Sequence, residues 1–197
     1  MHLPGCRTWL SAGLALLMGL SRADAVDLSS GEAPFGLSWG PVREVLKPTL
    51  AAREGNITAL IYFRGWAPAT GSQTQEVVLE ICRDEGLQQI VWFSRVLPLA
   101  EKSEVYTTIY REGVRRHGSP RAGPYPRTLE WPAARTVLGV RHAATLGEQI
   151  VMVSRGDGYA ACSDRHLTEV GHPATDHIER LLDGHDLPSD SGAASTP

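Results

Sequence analysis

The spacing of apolar positions divides the chain into segments of different period. Residues 10–20 are apolar without alternation. From Ile57 the pattern becomes that of strands. Ile57 to Arg64 is rich in β-branched and aromatic residues, and Val77, Leu79 and Ile81 alternate along Gln75 to Cys82. Asp84-Glu-Gly86 reads as a turn. Leu87 to Val96 resumes the strand pattern, with Leu87, Val91 and Phe93 expected on one side and Ile90 and Trp92 on the other. The period then lengthens. Behind Pro98, Tyr106, Tyr110 and Val114 recur at i, i+4 and i+8, and Val105 and Ile109 widen the stripe. That spacing predicts a long helix, with Gly118 placed to stop it and Pro120 just beyond. Leu129 to Trp131, Thr136 to Arg141 and Gln149 to Arg155 return to strand character. Gly156-Asp-Gly158 has the composition of a hairpin turn, so Tyr159 to Ser163 is expected as the last strand.

Weaker signals flank this frame. Phe35 to Gly40 reads as a short strand or turn packed on the core. Pro41 suits a first helical position, and Val42, Val45 and Leu46 share a helical face, so a short N-terminal helix is expected. Gly65 to Ser72 is a loop by composition. Asp176 and Glu179 form a capping box for a short C-terminal helix ending at Gly184. The predicted class is α+β: an antiparallel sheet of about six strands packed by one long helix, with short helices near both ends. Residues 26–34 read as a flexible leader, 35–170 as a single domain and 171–186 as a short helical region. Residues 187–197 read as a tail with too little apolar surface to order itself.

The unalternating run near the start changes the picture of compartment. Arg7 precedes it and Ala23-Asp-Ala25 closes it, which is the charge, apolar centre and small-residue pattern of a secretory signal peptide. The run is shorter than the roughly 20 apolar residues a bilayer span needs, so residues 1–25 are expected to be cleaved and to leave no stable membrane anchor. Cys6 lies before the run, not at the cleavage point where a lipid-bearing cysteine would sit. The expected localisation is periplasmic or secreted. Cleavage leaves 197 − 25 = 172 residues, enough for one domain with a core. Arg7, Arg22 and Asp24 leave with the signal, so 19 − 2 = 17 basic and 22 − 1 = 21 acidic residues remain, a net charge of −4. No block of like charge interrupts that balance, and nucleic acid, which needs a concentrated basic face, is not an expected partner.

Export also bears on the cysteines. Cys82 and Cys162 are the two left after cleavage, and in an oxidising compartment such a pair is expected to be bridged. The bridge would staple the first hairpin to the last strand. The chain has no C-x-x-C spacing to favour a redox or metal pair.

Candidate chemistry is sparse. The chain contains no Gly-rich phosphate loop, G-x-S-x-G, H-E-x-x-H or EF-hand spacing. His166, His172, His177 and His185, among Asp164, Asp176 and Asp186, are the one metal-like cluster, but their spacings match no ligand ladder and a solvated tail is favoured. No cofactor and no metal is therefore expected. Asp157 between two glycines is explained by turn chemistry. The run Arg115-Arg-His117 suits the negative end of the long helix. Trp39, Trp66, Trp92 and Trp131 are the candidates to line a ligand groove, of which Trp92, in mid-strand, is expected in the core. Trp66, in a loop behind Gly65, is the candidate ligand contact. Asn56-Ile-Thr58 is a glycosylation sequon, of consequence only in a eukaryotic secretory pathway.

Phe35-Gly-Leu-Ser-Trp-Gly40, Ala52-Arg-Glu-Gly-Asn56, the Cys82/Leu87 hairpin, Val114-Arg-Arg-His-Gly-Ser-Pro120 and Trp131 together resemble a loose group of exported, periplasmic bacterial proteins. These have a G-[LM]-x-W-G opening and a helix ending in [KR]-Y-G-x-P. The resemblance covers residues 35–163, and this chain has His117 where the group has Tyr. No established activity belongs to the group, so the resemblance implies fold and compartment only. The functional expectation is a non-catalytic periplasmic module that binds a protein or envelope component. One alternative is an envelope hydrolase whose site is assembled from Asp157, His142 and His166. Another is a small-ligand or metal carrier using Trp66 or the terminal histidines.

Overall fold

A computed structural model describes residues 32–42, 46–63, 71–142 and 147–174. The described residues fold as one eight-stranded antiparallel sheet with two helices, α+β as expected but with more strands than about six. Strands β1 (Leu50–Glu54), β2 (Ile57–Phe63), β3 (Thr74–Cys82) and β4 (Gly86–Ser94) form one meander. Helix α1 (Leu99–His117) follows. A second meander comprises β5 (Arg121–Ala122), β6 (Thr128–Trp131), β7 (Thr136–His142) and β8 (Glu148–Arg155), and helix α2 (Tyr159–Val170) closes the described chain. The spatial order β1-β2-β3-β4-β8-β7-β6-β5 joins the meanders along the β4–β8 seam.

One face of the sheet carries the larger core. Leu60, Tyr62, Val77, Leu79, Ile90, Trp92, Leu138, Ile150 and Met152 are buried there beneath Ile109 of α1, with Val105, Tyr106 and Val114 packed alongside. Of the predicted stripe, Val105, Tyr106, Ile109 and Val114 face this core, whereas Tyr110 is exposed. Gly118 ends α1 at φ +79, in a region of backbone space open to glycine rather than in the left-handed helical well itself. Leu87 lies on this face and not beside Val91 and Phe93. The ladder shifts where Glu80 opposes Gln89 and Ile81 opposes Leu87, so Gln88 is an extra residue that reverses the alternation. Phe35, Leu37 and Trp39 of the opening segment pack on the same core. Their segment holds a 3-10 turn at Pro34–Gly36 and one bridge, Gly40 to Leu87. At that bridge the backbones touch so closely that a Cβ on Gly86 would lie 2.0 Å from the Gly40 carbonyl oxygen. The expected short helix from Pro41 falls partly outside the described residues; Pro41, Val42 and Leu46 to Pro48 are not helical.

The opposite face buries Val78, Val91, Phe93, Val137, Val151 and Val153. Here the sequence expectation needs its main correction. Tyr159 to Ser163 is not a strand but the first half of α2. Ala160, Ala161 and Cys162 lack β-branching, and Tyr159, Cys162 and His166, all buried, recur at helical spacing. Gly171, at φ +85, stops the helix. The disulfide does join Cys82 and Cys162, with Cα atoms 6.0 Å apart, but it ties the end of β3 to a helix. Among the described residues no helix is long and apolar enough to cross a membrane. The signal region, most of the leader, the C-terminal helix and the tail lie outside the described residues.

Candidate functional site

Three surfaces bring chemically informative groups together. The first is the edge at β1. All five of its side chains are exposed, which is why Leu-Ala-Ala-Arg-Glu shows no strand pattern in the sequence. It is a strand because the Gly55-Asn56 turn folds it back on β2, pairing Leu50 with Ile61 and Glu54 with Ile57. Its outer side has no strand partner among the described residues. Leu50 is 54% exposed, and Leu46 and Phe63 beside it are 60% and 39% exposed. They are held together: Tyr62 Oη donates to the Leu46 carbonyl at 2.8 Å, and the Phe63 amide donates to Thr49 Oγ1 at 3.3 Å.

A second surface is a cleft of about 440 Å³ between the opening segment and the β6–β7 turn. Trp39, half-buried, lines it with Gln88, Ser154 and the Arg135–Asp157 ion pair. Arg135 has φ +47 with a full side chain, an uncommon backbone state. Of the described tryptophans, then, it is Trp39 that faces a cleft. Trp92 is core, as expected, Trp131 is core as well, and Trp66 lies outside the described residues.

The third lies where α2 meets β1–β4. Gln89 Nε2 donates to Glu80 at 2.5 Å, and Arg155 Nε donates to Gln89 Oε1 at 2.9 Å. The Arg155 guanidinium sits 4.4 Å over the Tyr159 ring. Burial pushes the Glu80 carboxyl up to about 7, although Arg155 and Gln89 pull it back. Burial also pushes the Tyr159 hydroxyl up to about 12. Glu80 lines a smaller cavity, about 120 Å³, together with Glu54 and His166. His166 is 3% exposed, and burial lowers its pKa, favouring the neutral ring. His172 Nε2 lies 3.2 Å from Glu54, His166 Nε2 lies 3.9 Å from it, and the two rings meet edge to face at 5.5 Å. One donor atom from each of Glu54, His166 and His172 falls within 4.8 Å of the others, so these three residues have the types and spacing to hold a metal ion.

The histidines are therefore split. His166 and His172 come together with a glutamate from the opposite end of the sequence, whereas His177, His185, Asp176 and Asp186 lie outside the described residues. No sequence spacing signals this grouping, because Glu54 is 118 residues from His172. Asp157, His142 and His166 do not converge. Asp157 pairs with Arg135 in the turn after β8. His142 ends β7 at the other end of the same strand pair, where it neighbours Arg127 and Glu148. The Arg115–Arg116 run is paired with Glu112 of its own helix. Asn56 of the sequon is 3% exposed, and its amide donates to the Cys162 carbonyl at 3.1 Å. No protein-family model matches the chain, and neither a curated protein nor a solved structure matches it.

Proposed function

We propose that the chain is an exported module of the bacterial envelope that carries out no chemistry itself and binds a protein partner by strand addition at β1. The observation that carries this reading is that the outer side of β1 has no strand partner among the described residues, while Leu50 on it and Leu46 and Phe63 nearby are exposed. An unpaired edge presents a row of N–H and C=O groups that template an added strand, and native proteins blunt such edges unless they are used. Arg53 and Glu54 put charge on β1, but Leu50 and Phe63, which the register places on one face of the sheet, are exposed apolar side chains of the kind found at protein contacts. Export is supported by the signal-like first 25 residues and by the disulfide, a bond that persists in oxidising compartments.

The test places a photo-crosslinking side chain at Leu50 in the exported protein, in living cells, with Tyr110 on α1 as a control position. A discrete adduct from Leu50 alone, weakened when Phe63→Lys is added, supports the reading. Phe63→Lys is expected to leave stability within about 0.5 kcal/mol, as exposed substitutions generally do. No adduct, or the same adducts from both positions, would overturn it.

A further inference from the structure

We infer that Glu54, His166 and His172 form a binding site for one divalent transition-metal ion, with Zn²⁺ the best match to the donors. Two imidazoles and one carboxylate are a zinc donor set, and three protein ligands leave a fourth position for water or a ligand. Tetrahedral ligands at bonds of about 2.1 Å stand roughly 3.4 Å apart. His172 and His166 lie 3.2 Å and 3.9 Å from the two oxygens of Glu54, and one donor atom from each residue falls within 4.8 Å of the others, close to that spacing.

The second observation is the state of the rings. His166 is 3% exposed, and among the described residues its Nδ1 has no hydrogen-bond partner, nor has the buried Nδ1 of His172. A buried ring nitrogen left unpaired costs free energy, whether its ring is wholly buried, as in His166, or partly exposed, as in His172. Their Nε2 atoms both face the Glu54 carboxylate. A cation there would meet two imidazole nitrogens and a carboxylate oxygen at once.

The site is also held in place, which a metal site requires. His166 lies one helical turn after Cys162, on the same face of α2, so the disulfide to Cys82 fixes the height of its ring above the sheet. Asn56, next to the turn that carries Glu54, donates to the Cys162 carbonyl. Arg83 bonds both Glu169 of α2 and the Gly55 carbonyl, at 3.1 Å and 3.2 Å. Gly55 itself, at φ +52, packs so close to α2 that a Cβ would lie 2.8 Å from Val170 and 3.3 Å from His166 Nδ1. A cavity lined by Glu54, His166 and Glu80 adjoins the site.

The experiment is calorimetric titration of the tag-free protein with Zn²⁺, repeated with Mg²⁺ and on Glu54→Gln and His172→Ala. Both substituted side chains are solvent-accessible, 63% and 40%, so neither change threatens the fold. The expected result is one Zn²⁺ per chain, no Mg²⁺ bound, and affinity at least 10-fold weaker in each variant, since even loss of a ligand's supporting partner costs about 10–100-fold. Absence of Zn²⁺ binding in the unaltered protein would overturn the inference. So would a variant that binds like the unaltered protein, because the ion would then sit on other histidines.

Discussion

The two helices are attached to the two faces of one sheet in different ways. α1 lays a continuous apolar stripe on a broad apolar face, and its contribution comes from area removed from water. α2 is shorter and is held at discrete points: the disulfide, the Asn56 amide and the Arg83–Glu169 ion pair. The sheet beneath it carries Glu80, Gln89 and Arg155 in place of an unbroken apolar layer. Area burial tolerates small shifts of a helix. Point attachments do not, and they place particular side chains, here His166 and Tyr159, to within narrow limits. Sites for ions and ligands need that second kind of attachment.

The largest effect is expected on the α1 side. Trp131 of β6 is 1% exposed, donates from Nε1 to the Gly118 carbonyl at 3.0 Å, and rests on Gly113, where a Cβ would lie 2.5 Å from the indole. Trp131→Ala is expected to cost about 3–5 kcal/mol in urea unfolding, the range for a buried aromatic. A loss below 1 kcal/mol would show that α1 does not depend on this contact.

Next in size is the disulfide. The 80-residue separation of its cysteines gives roughly 4.5 kcal/mol by chain entropy, an upper figure, so Cys82→Ala with Cys162→Ala is expected to cost about 2–4.5 kcal/mol. The distinction between the helices lies in local behaviour. In the double variant, hydrogen exchange should accelerate in α2 well below the global unfolding free energy, while α1 keeps its protection. Equal acceleration in both helices would erase the comparison.

The same contrast decides what could be read from the sequence. α1 was legible because Val105, Tyr106, Ile109 and Val114 form a stripe of helical period facing one apolar surface. The strands from β2 to β4 and from β6 to β8 were legible for the parallel reason. α2 was not, because only Tyr159, Cys162 and His166 face inward and the Gly-Asp-Gly turn suggested a hairpin. β1 was hidden because a fully exposed edge strand carries no alternation. The Cys82–Cys162 pair followed from compartment and parity. The Glu54–His166–His172 grouping could not, since it joins the two ends of the domain through tertiary packing alone.

The smallest effect, and the finest test of the α2 side, is the pH dependence set by Glu80. Its carboxyl is 5% exposed and is pushed by burial from an ordinary 4.5 up to about 7, against the pull of Arg155 and Gln89. The folded chain therefore keeps a proton there that the unfolded chain releases near 4.5. Between those values the folded state binds more protons, so stability falls as pH rises from about 4.5 to about 7. The interval corresponds to a loss on the order of 2–3 kcal/mol. His166, lowered by burial, acts in the opposite direction: its contribution is present above its unfolded value and is lost as pH falls through its folded one. Glu80→Gln leaves His166 in place, so the difference between the unaltered protein and this variant isolates Glu80. That difference should decline across pH 5 to 7 when urea unfolding is measured at each pH. A flat difference would mean that the Arg155 guanidinium, not burial, governs the carboxyl, and that an ion pair is one more of the points holding this face.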